Sequence, residues 1–149
     1  MINDIGPVSV VIVTFNSTSV VRAAIESVVN EKLVSNIFIV DNASVDNISD
    51  VIDSFGTAKI KLIRNANNLG FGVANNIALE QITTPYALLL NPDAVMGKGA
   101  LDTLVKKSAL YAQAGILSTA IFYENGHLQE TYRRNFHQRK ISKGNFLRA

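Results

Sequence analysis

VSVVIVTF, residues 8–15, is apolar, rich in β-branched side chains, and closed by Asn16-Ser17. Its near-continuous apolar character is that of a strand covered on both faces, as in a parallel sheet. The next stretch, 17–32, spaces Val20, Val21, Ala24, Ile25, Val28 and Val29 at helical intervals, with a Ser/Thr cluster placed to supply the N-cap. Outward from this pair the alternation repeats. Strands are expected at 36–42, 59–64, 86–90 and 115–123, and helices at 46–55, 71–82 and 99–113. Glu124-Asn125-Gly126 contains an Asn-Gly hairpin signal, so 127–133 is expected to return against 115–123. Strand–helix alternation predicts an α/β fold: a mostly parallel sheet with helices on both faces, Rossmann-like in the broad sense.

Composition narrows the function classes. The chain has 149 residues, 48% of them hydrophobic and 17% charged, which fits one globular domain and excludes a disordered, highly charged protein. It has no cysteine, which excludes a disulfide scaffold, a thiolate metal site and a cysteine nucleophile. His127 and His137 read as ordinary surface residues. No basic leader with a long apolar core precedes the first strand, and the apolar runs are strand-sized; a cytoplasmic protein is expected.

The net charge of +2 is unevenly placed. Residues 1–130 hold 8 Lys/Arg against 12 Asp/Glu, a net of −4, whereas 131–149 hold 6 Lys/Arg and no acid, a net of +6. An acidic body with a basic end does not match a nucleic-acid-binding face, so no nucleic-acid partner is expected.

In open α/β sheets, ligands bind beyond the carboxyl ends of the strands. Four such ends carry small polar or acidic residues: Thr14-Phe15-Asn16-Ser17, Asp41-Asn42-Ala43-Ser44, the run from Asn65 through Asn68 to Gly70-Phe71-Gly72, and Asn91-Pro92-Asp93. No Gly-x-Gly-x-x-Gly follows the first strand and no Gly-Lys-Ser/Thr occurs, which argues against a dinucleotide or P-loop site. Asp41 is placed to accept from a base or from ribose hydroxyls. Asp93 is the candidate for a hard divalent cation through oxygen. Asp46, Asp50 and Asp53 read as the solvent face of one helix.

VSVVIVTFNS (8–17), FIVDNASVDN (38–47), NANNLGFGVANNIAL (65–79), YALLLNPDA (86–94) and GHLQETYRR (126–134) together resemble family 2 glycosyltransferases of the GT-A fold, in particular a rhamnosyltransferase-like branch. The resemblance covers nearly the whole chain. It implies that Thr14, Phe15 and Asn16 line a nucleotide base, that Asp41 contacts the base or ribose, and that Asn68, Gly70 and Asn76 lie near a nucleotide-sugar. Asn91 and Asp93 stand where the family often has Asp-x-Asp, with Asp93 reaching Mg²⁺ or Mn²⁺ through the diphosphate. Arg133 and Arg134 read first as solvated side chains, with facing the diphosphate of a full enzyme as the other reading.

The implied function is binding of a nucleotide-diphospho-sugar, UDP- or dTDP-linked with dTDP-rhamnose as the narrower expectation. Transfer would be to a glycan or lipid-linked acceptor, with inversion, by a cytoplasmic enzyme for which a peripheral place at the inner face of the membrane is the alternative. The family's catalytic base lies downstream in a Glu-Asp pair, which these residues lack. Residues 1–134 are therefore expected to be the donor-binding part and 135–149 a basic start of an acceptor half, inactive in transfer alone. The alternative is a non-catalytic nucleotide-binding or interaction module. Apolar surface near 115–123 and the mixed basic–apolar end predict a homo-oligomer, most simply a dimer.

Overall fold

The computed structural model describes residues 6–111 and 113–129. The expectations for Arg133, Arg134, His137 and the 135–149 segment lie outside the described residues. The chain divides into two compact units that meet between Gly115 and Ile116.

The first unit is a four-stranded sheet with strand order β3-β2-β1-β4, every neighbouring pair parallel. Its strands are β1 (Val8–Thr14), β2 (Val34–Asp41), β3 (Ile60–Arg64) and β4 (Tyr86–Leu89). Its helices are α1 (Thr18–Val29), α2 (Ile48–Asp53), α3 (Phe71–Leu79) and α4 (Ala100–Leu110). The expected elements are all present in this unit, most of them trimmed by one to three residues at an end.

All seven residues of β1 are buried, as the continuous apolar run requires of a strand covered on both faces. Alternation divides them. Val8, Val10 and Ile12 join Ile37 and Ile39 of β2 in one core, against α1 (Val21, Ala24, Ile25, Val28), Ile48 of α2 and Leu101 and Val105 of α4. Val11 and Val13 join Phe38 and Val40 in a second, smaller core against Ala74 and Ala78 of α3. Small alanines on α3 let its backbone lie close to the sheet. Three helices therefore cover one face and α3 the other.

Ile116 onward forms the second unit. Its described part contains a short antiparallel pair, β5 (Ile121–Phe122) with β6 (Leu128–Gln129). The Asn125-Gly126 turn falls where expected, with Gly126 at φ 79° and Tyr123 N–H bonded to His127 O at 2.8 Å. The 115–123 strand is corrected: only 121–122 is extended and paired, and it pairs with β6 rather than joining the parallel sheet. Leu117-Ser118-Thr119-Ala120 breaks the apolar run at its centre, leaving little to bury. Among the described residues no helix is long and apolar enough to cross a membrane.

The centre of the sheet carries the stability. Ile12 is fully buried between α1 and its strand neighbours, so Ile12→Ala is expected to cost about 2–5 kcal/mol by lost burial and a residual cavity. Val45, which is 93% exposed, is expected to tolerate Ala within about 0.5 kcal/mol. Urea unfolding of both variants checks the contrast.

Candidate functional site

Strand order 3-2-1-4 reverses direction between β1 and β4, and the crevice beyond such a reversal is where open α/β sheets bind ligands. A cleft of about 550 Å³ opens there. It is lined by Val13, Phe15, Ser17 and Val20 from β1 and the start of α1, and by Asn42 from the end of β2. Asn68, Gly70 and Phe71 come from the entry to α3, and Asn91, Pro92 and Asp93 from the exit of β4. Leu90 N–H donates to Val11 O (2.9 Å), extending the pairing beyond β4 so that Asn91-Pro92-Asp93 emerges at this edge.

The sheet's alternation decides which strand-end residues reach the cleft. Thr14, Asp41 and Arg64 are register partners in one row across β1, β2 and β3. Their side chains share the face of Ile12, Ile39 and Leu62, towards α1 and α2. Thr14 is fully buried and its hydroxyl donates to Val40 O at 3.4 Å. The Asp41 carboxylate is 2% exposed, pairs with Arg64 at 3.3 Å, and accepts the Ser44 N–H at 3.1 Å. Arg64 in turn donates to Ser49 of α2 at 2.6 Å. Neither Thr14 nor Asp41 lines the cleft. One residue along, Val13 and Asn42 point the other way and do.

Asn42 organises that side. It is buried, and its Oδ1 accepts from Asn65 Nδ2 (3.1 Å) and from Leu69 N–H (3.0 Å). Its Nδ2 donates to Asn68 Oδ1 (2.7 Å), which also accepts the Gly70 N–H (3.0 Å). Gly70 has φ 79°, a left-handed conformation that favours glycine. This turn delivers Phe71 as the first residue of α3. Phe71 is in helical phase with Ala74 and Ala78, which are buried, yet it is 54% exposed and forms a wall of the cleft. Phe15, 49% exposed, is another apolar element of the lining.

Of the residues singled out from sequence, Phe15, Asn68, Gly70, Asn91 and Asp93 come together around the cleft. Asn16 does not line it: its side chain accepts the Val45 N–H at 2.9 Å. Asn76 is exposed on α3 and does not line it either. Ser17, Asn42 and Phe71 lie within the strand-end segments expected at the site but carry no individual role in the sequence reading, and Val20 lies outside those segments. The signal available for Asn42 was parity, because it sits two residues from Val40 on the α3 side of β2.

Two further expectations change. Asp46 is not on the solvent face of α2, which begins at Ile48. Its carboxylate accepts the Thr18 N–H at 2.9 Å. Ser17 is the N-cap residue of α1 but makes no side-chain cap bond; its hydroxyl donates to Phe15 O at 3.1 Å instead. Among the described residues no three His, Cys, Asp or Glu side chains gather as a ready-made metal cage. Asp93 and Asn91 offer hard oxygen donors from one short segment of the lining.

The family model for glycosyl transferase family 2 matches residues 9–148. The chain belongs to glycosyl transferase family 2. It is 28% identical over 131 residues to protein y4gI of Sinorhizobium fredii, covering 82% of this chain and 14% of that protein. Among solved structures it is similar in fold to S. aureus TarS 1–349 in complex with UDP-GlcNAc, with a TM-score of 0.64 and 20% identity over 71% of this chain. The mannosyltransferase from Pyrobaculum calidifontis, in complex with GDP-Man and Mn²⁺, matches with a TM-score of 0.64 and 20% identity over 70% of this chain. The chain spans about a third of each of those two structures, 32% in both cases. The parallel α/β sheet of this family member is thus of the kind glycosyltransferase structures carry.

The Asp41–Arg64 pair supports the β2 end from below. Removing Arg64 leaves a buried carboxylate with one remaining donor. Because Arg64 is half exposed, Arg64→Ala is expected to cost about 1–2 kcal/mol, short of the ~3–5 of a fully buried pair. Denaturant titration at neutral pH measures it, and a loss indistinguishable from zero would remove the pair from the site's support.

Proposed function

We propose that these residues form the donor-binding part of a glycosyltransferase, holding a nucleotide-diphospho-sugar in the cleft beyond β1 and β4. The observation that carries this reading is convergence: residues from all four strand exits meet there, although they are far apart in sequence. Phe15 and Phe71 supply apolar, π-faced surface of the kind a heteroaromatic base stacks on. The polar edge of the base then meets the exposed Asn68 amide, which Asn42 holds in place, rather than Asp41, whose carboxylate is buried and already engaged. A pyrimidine nucleotide, UDP or dTDP, is the favoured carrier, and a rhamnosyl donor is the narrower proposal from sequence resemblance.

A divalent cation, Mg²⁺ or Mn²⁺, fits the donor set. Such ions are commonly held by one or two carboxylates together with substrate phosphates and water. Asp93, with Asn91 beside it, is such a set, and it lies on the cleft. Bound there, the ion would neutralise charge on the diphosphate leaving group. The structural neighbours that carry UDP-GlcNAc, or GDP-Man with Mn²⁺, support donor and cation alike.

The 149 residues contain no adjacent Glu-Asp pair, where the resemblance puts the general base. Donor binding is therefore the role assigned to them, with acceptor recognition, of a glycan or lipid-linked hydroxyl, left to other residues of the whole protein. The second reading, a nucleotide-binding module without transfer, rests on that same absence of a base. Transfer assays with radiolabelled donor separate the two: activity of this chain alone would place a base within it.

Calorimetric titration with UDP and dTDP, with and without Mn²⁺, tests the site. Asp93→Ala is expected to abolish the increment in affinity that metal provides while sparing metal-free binding. Asn42→Ala, which removes the amide that holds Asn68 and Leu69, is expected to weaken binding about tenfold under both conditions, the scale of one lost buried hydrogen-bonding group. Equal affinity in wild type and both variants would remove the cleft as the donor site.

Self-association is the remaining proposal. Ile121, Phe122 and Leu128 of the β5–β6 pair are exposed. A pair this short is marginal by itself. We assign these apolar side chains to a homodimer contact. Light scattering is expected to show a dimer that Phe122→Glu converts to monomer; a wild-type monomer at high concentration would reject the assignment.

A further inference from the structure

The β1–α1 loop, which carries Phe15 to the cleft, is not held by its own residues alone. Three hydrogen bonds cross to it from the β2–α2 loop. Asn16 N–H donates to Ser44 Oγ at 2.9 Å, Val45 N–H donates to Asn16 Oδ1 at 2.9 Å, and Thr18 N–H donates to Asp46 Oδ2 at 2.9 Å. Both loops contain a non-glycine residue with positive φ, Asn16 at 52° and Ala43 at 65°. Such residues carry a local cost and persist where surrounding bonds over-determine them. Asn tolerates this conformation better than most residues; Ala does not, so the 43–46 turn is strained for a structural reason.

Asp46 is the charged member of this set. α1 has no side-chain cap of its own and no acidic residue in its first turn. The Asp46 carboxylate, some 28 residues distant in sequence, supplies both the acceptor for Thr18 N–H and the negative charge that a helix N-terminus favours. Its other oxygen, Oδ1, is buried without a partner among the described residues. A buried oxygen left unsatisfied is an expense that an ordinary surface aspartate does not carry. Asp50 and Asp53, by contrast, are exposed on α2.

We propose that Asp46 is a positioning residue for the cleft. By capping α1 from the neighbouring loop, and together with Ser44 and Asn16, it fixes the β1–α1 loop so that Phe15 stands at the lining. This rests on the donor-binding reading above, since Phe15 is the group through which Asp46 acts. A capping residue that only stabilised the fold would change the folded population and nothing else. A positioning residue changes the affinity of the folded protein, and does so only while Phe15 is present.

The test is a double-mutant cycle on the full chain, using UDP and dTDP with Mn²⁺ as probes, well below the unfolding temperature of every variant. Phe15→Ala is expected to weaken nucleotide binding. Asp46→Ala is expected to weaken it about fivefold, the scale of one lost N-cap, and to add nothing in the Phe15→Ala background. Asp46→Glu, which keeps the charge and an acceptor, is expected to recover part of the affinity. Amide hydrogen exchange of Asp46→Ala should speed exchange at Asn16 and Thr18 but not at Ile39 in the sheet. Asp50→Asn, on the exposed face of α2, serves as the control that leaves affinity unchanged. Wild-type affinity in Asp46→Ala, additive effects with Phe15→Ala, or unchanged exchange at Asn16 and Thr18 would each overturn the positioning role while leaving donor binding intact. Failure of the wild-type chain to bind either nucleotide would overturn the donor reading and this role with it.

Discussion

Two adjacent strands, β1 and β2, are buried on both faces, and that single constraint arranges everything else. A strand covered on both sides must spend every side chain on one core or the other, so its parity is fixed by packing along its whole length. Val8, Val10 and Ile12 commit one parity to the α1 side; Val11 and Val13 commit the other to α3. Where the strands emerge, the same parity continues into the first loop residues. It sends Thr14 and Asp41 under α1 and α2 to become structural, and sends Val13 and Asn42 towards the cleft. A one-residue slip would exchange those roles and would also reverse both cores. The chemistry at the edge is therefore as firmly registered as the hydrophobic interior.

Much of this was legible in the sequence because the elements are strongly patterned. The run at 8–15 and the stripe Val21, Ala24, Ile25, Val28 leave few alternatives to a parallel α/β sheet. The strand exits were legible as a set, since polar residues recur after each strand. What was not legible was which member of each exit faces the ligand. Asp41 attracts attention because a carboxylate is chemically conspicuous, yet its partner Arg64 is 23 residues away and its engagement depends on strand pairing. Asp46 misled for the complementary reason. Its spacing with Asp50 and Asp53 fits a helix face, but α2 starts after it, and the N–H that it accepts belongs to another element. Phe71 fits the helical stripe of α3 and still lies at the cleft, because a helix's first turn often overhangs the sheet it covers. The 115–123 run is mostly unpaired because its polar centre interrupts the apolar period, and only Ile121 and Phe122 pair.

The asparagines deserve a physical account beyond their number. Asn65, Asn42 and Asn68 form a chain in which Asn65 donates to Asn42 and Asn42 donates to Asn68, so that the buried Asn42 amide both gives and takes, as a buried amide must to be satisfied. Asn42 spends its acceptor on two donors from the 65–70 loop and its amide on Asn68. An aspartate there would have no proton to offer Asn68, and an apolar residue would strand Leu69 N–H. Neutral amides thus let the loop before α3 be held tightly while leaving the floor of the cleft uncharged. Among the described residues of the lining, charge then comes from Asp93 alone, on the segment that leaves β4.

α1 links the two sides of that arrangement. At its start, the Thr18 N–H is held by the Asp46 carboxylate. Nine residues on, Ser27 Oγ accepts the Met96 N–H at 3.1 Å, tying the loop after Asp93 to the same helix. Between these points Val21, Ala24, Ile25 and Val28 bury α1 against the sheet. The β1 exit and the β4 exit, contiguous in space but not in sequence, are thus tied through α1 as well as through the direct pairing of β1 with β4. For the donor proposed above, with a base at one end and a charged diphosphate at the other, a doubly tied cleft is an advantage, because the distance between the two groups is fixed by the ligand.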